Sequence, residues 1–130
     1  MLTVNRRAAG AMLRAVVSLG RKVHLYANDV HPSREHDLKA FQEVTGGGYA
    51  PVELAADDWV VREDGKLCVA TRPPVKWAFT SGVGNIFGYY VTDAGGALLW
   101  AERLAPAPFL AANPGDKLRI ALAFDLGPRT

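Results

Sequence analysis

The sequence predicts a mainly β chain: an antiparallel β-sandwich of jelly-roll type, or a small barrel, with one N-terminal α-helix and room for a short second helix. Three observations predict it. Residues 117–126 alternate, with Leu118, Ile120, Leu122, Phe124 and Leu126 on one face and Lys117, Arg119, Ala121, Ala123 and Asp125 on the other. That is the pattern of a strand with one buried and one wetter face. Residues 86–92 and 97–104 are aliphatic and aromatic runs that bracket Asp93-Ala94-Gly95-Gly96, the signature of a β-hairpin. From residue 49 onward, further short apolar runs recur between glycine, proline, asparagine and aspartate, as in a sandwich or barrel stitched from short strands. At 130 residues the chain fits one domain and is long enough to bury a core without staples. It divides into a helical segment, 1–21, and a β body, 22–130.

Residues 5–20 read as a helix, with Asn5 placed to cap its start and Gly20 to stop it. Ala9, Met12, Leu13, Val16 and Val17 form one stripe at helical spacing, and Arg7, Arg14, Ser18 and Arg21 form the opposite one. Arg6 and Arg7 stand in the first turn, where the helix dipole disfavours cations. A first strand follows at 22–27, then a loop through Asn28-Asp29 and His31-Pro32-Ser33. A short helix is expected at 38–44, capped by Asp37 and ended by Gly46-Gly47-Gly48. Residues 49–54 are a weak strand. Strands at 59–63 and 66–70 flank an Asp64-Gly65 turn. Arg72-Pro73-Pro74 blocks continuation, 76–80 puts Trp77 and Phe79 on one face, and 81–85 is a glycine-bearing loop. In the 86–104 hairpin a two-residue Ala94-Gly95 turn sets Trp100 opposite Tyr89; a three-residue Ala94-Gly95-Gly96 turn sets it opposite Tyr90. Alanine tolerates a positive φ poorly, which favours the three-residue form. Pro106 and Pro108 interrupt the next connection, and Asn113-Pro114-Gly115-Asp116 suits a type II turn ahead of the last strand.

The formal charge is +2, from 15 basic and 13 acidic side chains, too even for a dedicated nucleic-acid binder. The aromatic residues are not interleaved with a basic stripe. No apolar run approaches the roughly 20 residues of a membrane span. Arg14 interrupts the apolar stretch after Arg6-Arg7, so no export signal is read. Cys68, the one cysteine, has no partner for an internal disulfide and reads as a small core residue in a strand. His24, His31 and His36 lack zinc-ligand spacing, and 28–37 lacks the regular oxygen ligands of a calcium loop. Ser33 and Ser81 lack a nucleophile elbow. Asp57 and Asp58, side by side in a strand, would point to opposite faces rather than converge. Gly46-Gly47-Gly48 and Gly82-Val83-Gly84 lack the lysine, third glycine or helix start of a phosphate cradle. The residues therefore point to a binding protein rather than an enzyme, with no catalytic residue, metal or cofactor expected.

Gly88–Arg103, then Pro108-Phe109 and Asn113–Arg119, resembles a family of small structural proteins of tailed-bacteriophage virions. So do Leu25–Pro32, Gly48–Leu54 and the downstream Trp59. The resemblance spans nearly the whole chain and rests on turns and aromatics rather than on a catalytic motif. His31–His36 departs from it, being more charged than the threonine-rich stretch of the family. The resemblance implies a capsid cement or decoration protein that binds and stabilises the assembled head. Its place would be the virion, assembled in the host cytoplasm. Its partners would be the major capsid protein or other virion proteins, with further copies of itself in the particle, and neither nucleic acid nor membrane. The other role it allows is a tail, baseplate or head-fibre component, including a receptor- or carbohydrate-binding module for which Trp59 or Trp77 would supply an exposed ring. Candidate contacts between subunits are Arg7, Met12, Leu13, Arg14, Val16 and Val17 on the helix, His31 and Arg34 in the 28–37 loop, and Phe109 in the 105–115 loop. The helix either meets a neighbour or caps the protein's own core.

Overall fold

The computed structural model describes residues 5–64 and 67–126, apart from the side chains of Arg6, Asp64, Leu67 and Leu126. The stripe at helical spacing forms α1 (Arg6–Leu19). Asn5 caps it, its Oδ1 accepting from the Ala8 N–H at 2.9 Å. Gly20 ends it with extended backbone (φ −70°, ψ 128°) rather than a left-handed turn; Val91 and Trp100 press against the place a side chain would take.

The strands after it are β1 (Lys22–Tyr26), β2 (Val52–Glu53), β3 (Val60–Asp64), β4 (Leu67–Thr71), β5 (Val75–Ala78), β6 (Gly84–Ile86), β7 (Gly88–Thr92), β8 (Leu98–Arg103), β9 (Phe109–Ala111), β10 (Lys117–Ile120) and β11 (Ala123–Leu126). Every pairing is antiparallel. They form a four-stranded sheet in the order β2-β1-β7-β8, a three-stranded sheet β11-β4-β3, and two ribbons, β10-β5 and β6-β9. The body is sandwich-like and mainly β, and it does not close into a barrel. One continuous apolar core joins the sheets: Val23 and Leu25 from β1, Val75 and Trp77 from β5, Tyr89 and Val91 from β7, Leu118 and Ile120 from β10. The helix lies across β3, β4 and β11. Its Ala9 and Leu13 pack with Cys68, Val61 and Phe124, and its Val17 enters the main core.

Five local expectations are corrected. The second helix is a single 3-10 turn, Leu38–Ala40, capped as expected by Asp37. After it the chain extends beside β1, with Ala27 N–H donating to the Gln42 carbonyl at 2.7 Å and Val44 N–H to the Leu25 carbonyl at 3.0 Å. The reason is burial: Phe41 and Val44 enter separate apolar clusters, which one short helix face cannot reach. The glycine-bearing stretch at 81–85 and the proline-rich connection contain strands, β6 and β9, paired with each other. The final alternating run breaks at Ala121-Leu122 and changes sheets, β10 joining β5 and β11 joining β4, while Leu122 stays buried at the corner. Asp64 pairs with Leu67, one residue later than an Asp64-Gly65 turn requires; residues 65 and 66 lie outside the described residues.

The hairpin supplies the fifth. Its turn has the three-residue form: Asp93 N–H donates to the Ala97 carbonyl at 2.9 Å, and Gly96 takes the left-handed position at φ 87°. Yet Trp100 faces Val91, not a tyrosine, because Leu99 is an extra residue opposite the Val91/Thr92 step. The bulge moves the register by one, and the aromatic partner of Trp100 becomes Phe124, met edge-on at 4.8 Å between centroids.

Gly88 is required by contact rather than by φ. A Cβ there would fall within 2.4 Å of the Tyr26 hydroxyl and 2.3 Å of the Glu102 carbonyl oxygen, since Tyr26 is its cross-strand neighbour and its ring covers the glycine. The split of the helix stripe is directly measurable. Leu13→Ala should lower unfolding free energy by about 2–5 kcal/mol, whereas Met12→Ala, one residue away and half exposed, should stay within about 0.5 kcal/mol. Urea unfolding followed by circular dichroism checks both; equal costs would mean that the helix is docked through a different face.

Candidate functional site

The four-stranded sheet is covered on both sides. Its second face carries Tyr26 and Tyr90, closed over by Phe41 with ring centroids 5.0 and 5.2 Å away. His24 shares this face and lies flat on Tyr90, centroids 4.6 Å apart and planes 5° apart. Its two ring nitrogens are both engaged: Nδ1 lies 2.7 Å from Glu43 Oε2 and Nε2 lies 2.9 Å from Thr92 Oγ1. The Tyr49 hydroxyl donates to the same Glu43 oxygen at 2.6 Å and accepts from the Leu25 N–H at 3.0 Å.

Carboxylate, imidazole and hydroxyl in this order resemble the relay of a nucleophilic hydrolase. Burial decides against that use. Thr92 is 4% exposed, its hydroxyl is spent on the imidazole, and a reacting group has no approach to it. The arrangement is a clamp that ties β1, β7 and the 43–49 segment together. In the sequence His24 is one of three isolated histidines; its partners lie 19 and 68 residues away, and no local pattern announces them.

The expected contact residues divide. Leu13 and Val17 are buried in the protein's own core, so neither is a contact between subunits. Phe109, in β9, packs on the main core as well, because pairing with β6 draws that segment inward. Met12, Val16 and Leu19 remain 48%, 38% and 55% exposed. They form an apolar flank along one side of α1, with Arg7 and Arg14 exposed on its other side. Leu19 is not among the contacts expected from sequence, although it stands three residues after Val16 and seven after Met12, the spacing of a shared helical side. His31 and Arg34 are exposed in the loop. His36 is half-buried, its Nδ1 accepting from the Ser33 N–H at 3.2 Å and its ring standing edge-on to Phe41.

Trp59 and Trp77 are both buried, so neither ring is exposed for a sugar. Asp57 and Asp58 sit in a 3-10 turn, Ala56–Asp58, and Asp58 lies 3.7 Å from the Arg72 guanidinium. Burial holds Arg72 below the ordinary arginine range, an effect the Asp58 charge opposes. Arg72 Nη1 and Trp59 Nε1 are buried without a hydrogen-bond partner among the described residues. Among the described residues, no three His, Cys, Asp or Glu side chains converge as metal ligands, and no helix is long and apolar enough to cross a membrane. Comparison with known proteins finds no matching family model, curated protein or solved structure.

Burial raises all four tyrosines above the ordinary value of 10.0, with the Glu43 hydrogen bond adding at Tyr49 and the Glu102 charge adding at Tyr89; Tyr90 reaches about 12. The folded state thus holds these protons more tightly than the unfolded chain. The stability they supply is complete below pH 10 and falls as pH rises beyond it. Tyrosinate absorbance should therefore appear together with loss of near-ultraviolet dichroism in one cooperative step above pH 10. Free titration of a folded protein would contradict the burial. Glu43→Ala strands the His24 and Tyr49 donors and should cost about 1–3 kcal/mol, read as a lowered thermal midpoint; an unchanged midpoint would mean that the clamp holds nothing.

Proposed function

We propose that this chain is a structural protein of a tailed-bacteriophage virion, a cement or decoration protein that binds the assembled head and performs no turnover. The observation that carries the reading is the exposed flank of α1. Met12, Val16 and Leu19 are each more than a third exposed on a helix whose other apolar side is already seated on β3, β4 and β11. A rigid helix anchored on one side and apolar on another is suited to a groove on a neighbour. Burying what remains exposed contributes on the order of 1 kcal/mol per side chain. That is weak for one copy, but a lattice repeats it, and binding restricted to the assembled state shifts assembly by mass action. Arg7 and Arg14 stand on the opposite side of the helix, so the flank itself is apolar and uncharged. The His24, Glu43, Tyr49 and Thr92 side chains satisfy one another in the clamp, which suits a scaffold better than an enzyme. Trp59 and Trp77, the rings expected for a sugar-binding tail module, are inside the core.

Deleting α1 does not test this, because it would also uncover the seat of Ala9, Leu13 and Val17. The triple variant Met12→Glu, Val16→Glu and Leu19→Glu changes the flank and spares that seat. It should fold with wild-type circular dichroism and fail to co-sediment with assembled heads, while the wild type co-sediments. Co-sedimentation of the variant, or absence of the wild-type chain from purified particles by mass spectrometry, would overturn the reading.

A further inference from the structure

A groove of about 440 Å³ runs beside β8, between Leu98–Ala101 on one side and Pro32, Ser33, Arg34 and His36 on the other, with Phe41 also lining it. None of its lining residues belongs to α1, so a ligand in this groove is independent of the virion reading. We propose that this groove takes an extended, acidic segment of a partner protein as an added strand on β8.

Three observations combine. First, β8 is the outer strand of its sheet. The hydrogen bonds Asp93 N–H to Ala97 and Leu104 N–H to Phe87, with the register Tyr89↔Glu102 and Tyr90↔Ala101, fix which residues face β7. Alternation then turns the N–H and C=O groups of Leu98, Ala101 and Arg103 outward. Second, the first four residues of this edge are unguarded. Open strand edges are usually protected by charge, and β8 carries its charges, Glu102 and Arg103, only at its far end. Leu98, Leu99, Trp100 and Ala101 carry no charge and are half-buried. Third, the lining carries one full positive charge, Arg34, and no carboxylate. Of the acids around it, Glu102 is engaged by the Tyr89 hydroxyl at 3.0 Å, Asp29 by Arg103 at 2.7 Å and Asp37 by the Lys39 N–H at 2.9 Å, and Glu35 lies outside the lining.

These features select the occupant. Leu98–Arg103 spans about 17 Å of extended chain, so a segment of about six residues matches it. Its outward backbone groups pair with the segment's backbone, apolar side chains of the segment meet Leu98, Ala101 and Phe41, and a carboxylate meets Arg34. A second copy of this chain fits less well. The 32–36 segment borders the groove where the second sheet of a two-fold pair would have to pass. Nucleic acid is disfavoured because Arg34 is the one full positive charge lining the groove.

The test uses the whole protein and a capped hexapeptide of alternating valine and aspartate, with the valine–lysine peptide as control. Saturable amide shifts confined to residues 32–36 and 98–103, with slowed exchange of the Leu98, Ala101 and Arg103 amides, are expected for the aspartate peptide alone. Arg34→Glu should weaken it at least tenfold and admit the lysine peptide. Ala101→Pro removes only an outward N–H, a change that edge strands tolerate, and should abolish binding by the folded variant. If that variant does not fold, the Arg34 exchange and the wild-type amide protection still decide. No saturable shift at millimolar peptide would overturn the proposal. So would equal binding to Arg34→Glu, shifts centred on Lys76, Lys117 and Arg119, or self-association through β8 in place of peptide binding.

Discussion

Burial of β7 on both faces is the constraint on which the architecture depends. All five of its residues are buried, with Tyr89 and Val91 in the main core and Tyr90 in the second cluster. A sheet with one wet face would not need residues 28–44; this one does, because Tyr26 and Tyr90 would otherwise stand in water. The covering segment is fastened at both ends. Asn28 donates to the Ala40 carbonyl and accepts from the Gln42 N–H, each at 2.8 Å. Arg103 pairs with Asp29, donates to the Val30 carbonyl at 3.2 Å and lies over the Phe87 ring. These polar ties orient a cover whose stabilisation comes from the apolar area that Phe41 and its neighbours remove from water.

Two-sided burial also explains the chemistry of the second face. His24 shares it with Tyr26 and Tyr90, and an imidazole largely withdrawn from water needs partners for both nitrogens. Glu43 and Thr92 supply them, and Tyr49 fills the remaining demand of the carboxylate. What resembles a catalytic relay is therefore the polar cost of covering a sheet face that includes a histidine. The same logic holds the tyrosines neutral: their hydroxyls sit where an ionised oxygen would lack water.

Local pattern is legible where one periodicity governs one element. The 3.6-residue stripe marks α1, Asn5 its cap, Asp37 the cap of the following turn, and Asp93–Gly96 the hairpin turn. It fails where two environments share one run. Leu118 to Phe124 keeps its alternation through a change of sheet, so nothing in the sequence marks the break at Ala121-Leu122. Leu99 has the same apolar character as its neighbours, so the bulge that re-aims Trp100 leaves no trace. Phe41 and Val44 have helical spacing but serve two clusters. The helix stripe is legible as apolar, yet it is wider than the sheet it rests on. Which half is seated and which is exposed depends on where β3, β4 and β11 stand, and these strands are contributed from residues 60 to 126.

The excess of apolar surface has a physical reading. A helix needing only its own core would seat Ala9, Leu13 and Val17 and present polar residues elsewhere. Met12, Val16 and Leu19 gain little from intramolecular burial, just as the uncharged 98–101 part of the β8 edge gains nothing from being left open. Intramolecular stability accounts for the His24 clamp, the Asn28 staple and the Tyr26–Gly88 contact, since each joins distant segments of one body. It does not account for apolar groups held rigidly outward by segments that are themselves firmly packed. Pre-ordered groups of that kind lose little further entropy when a second surface covers them. The arrangement is therefore one of pre-ordered apolar surface on a body whose internal polar demands are largely met within the fold.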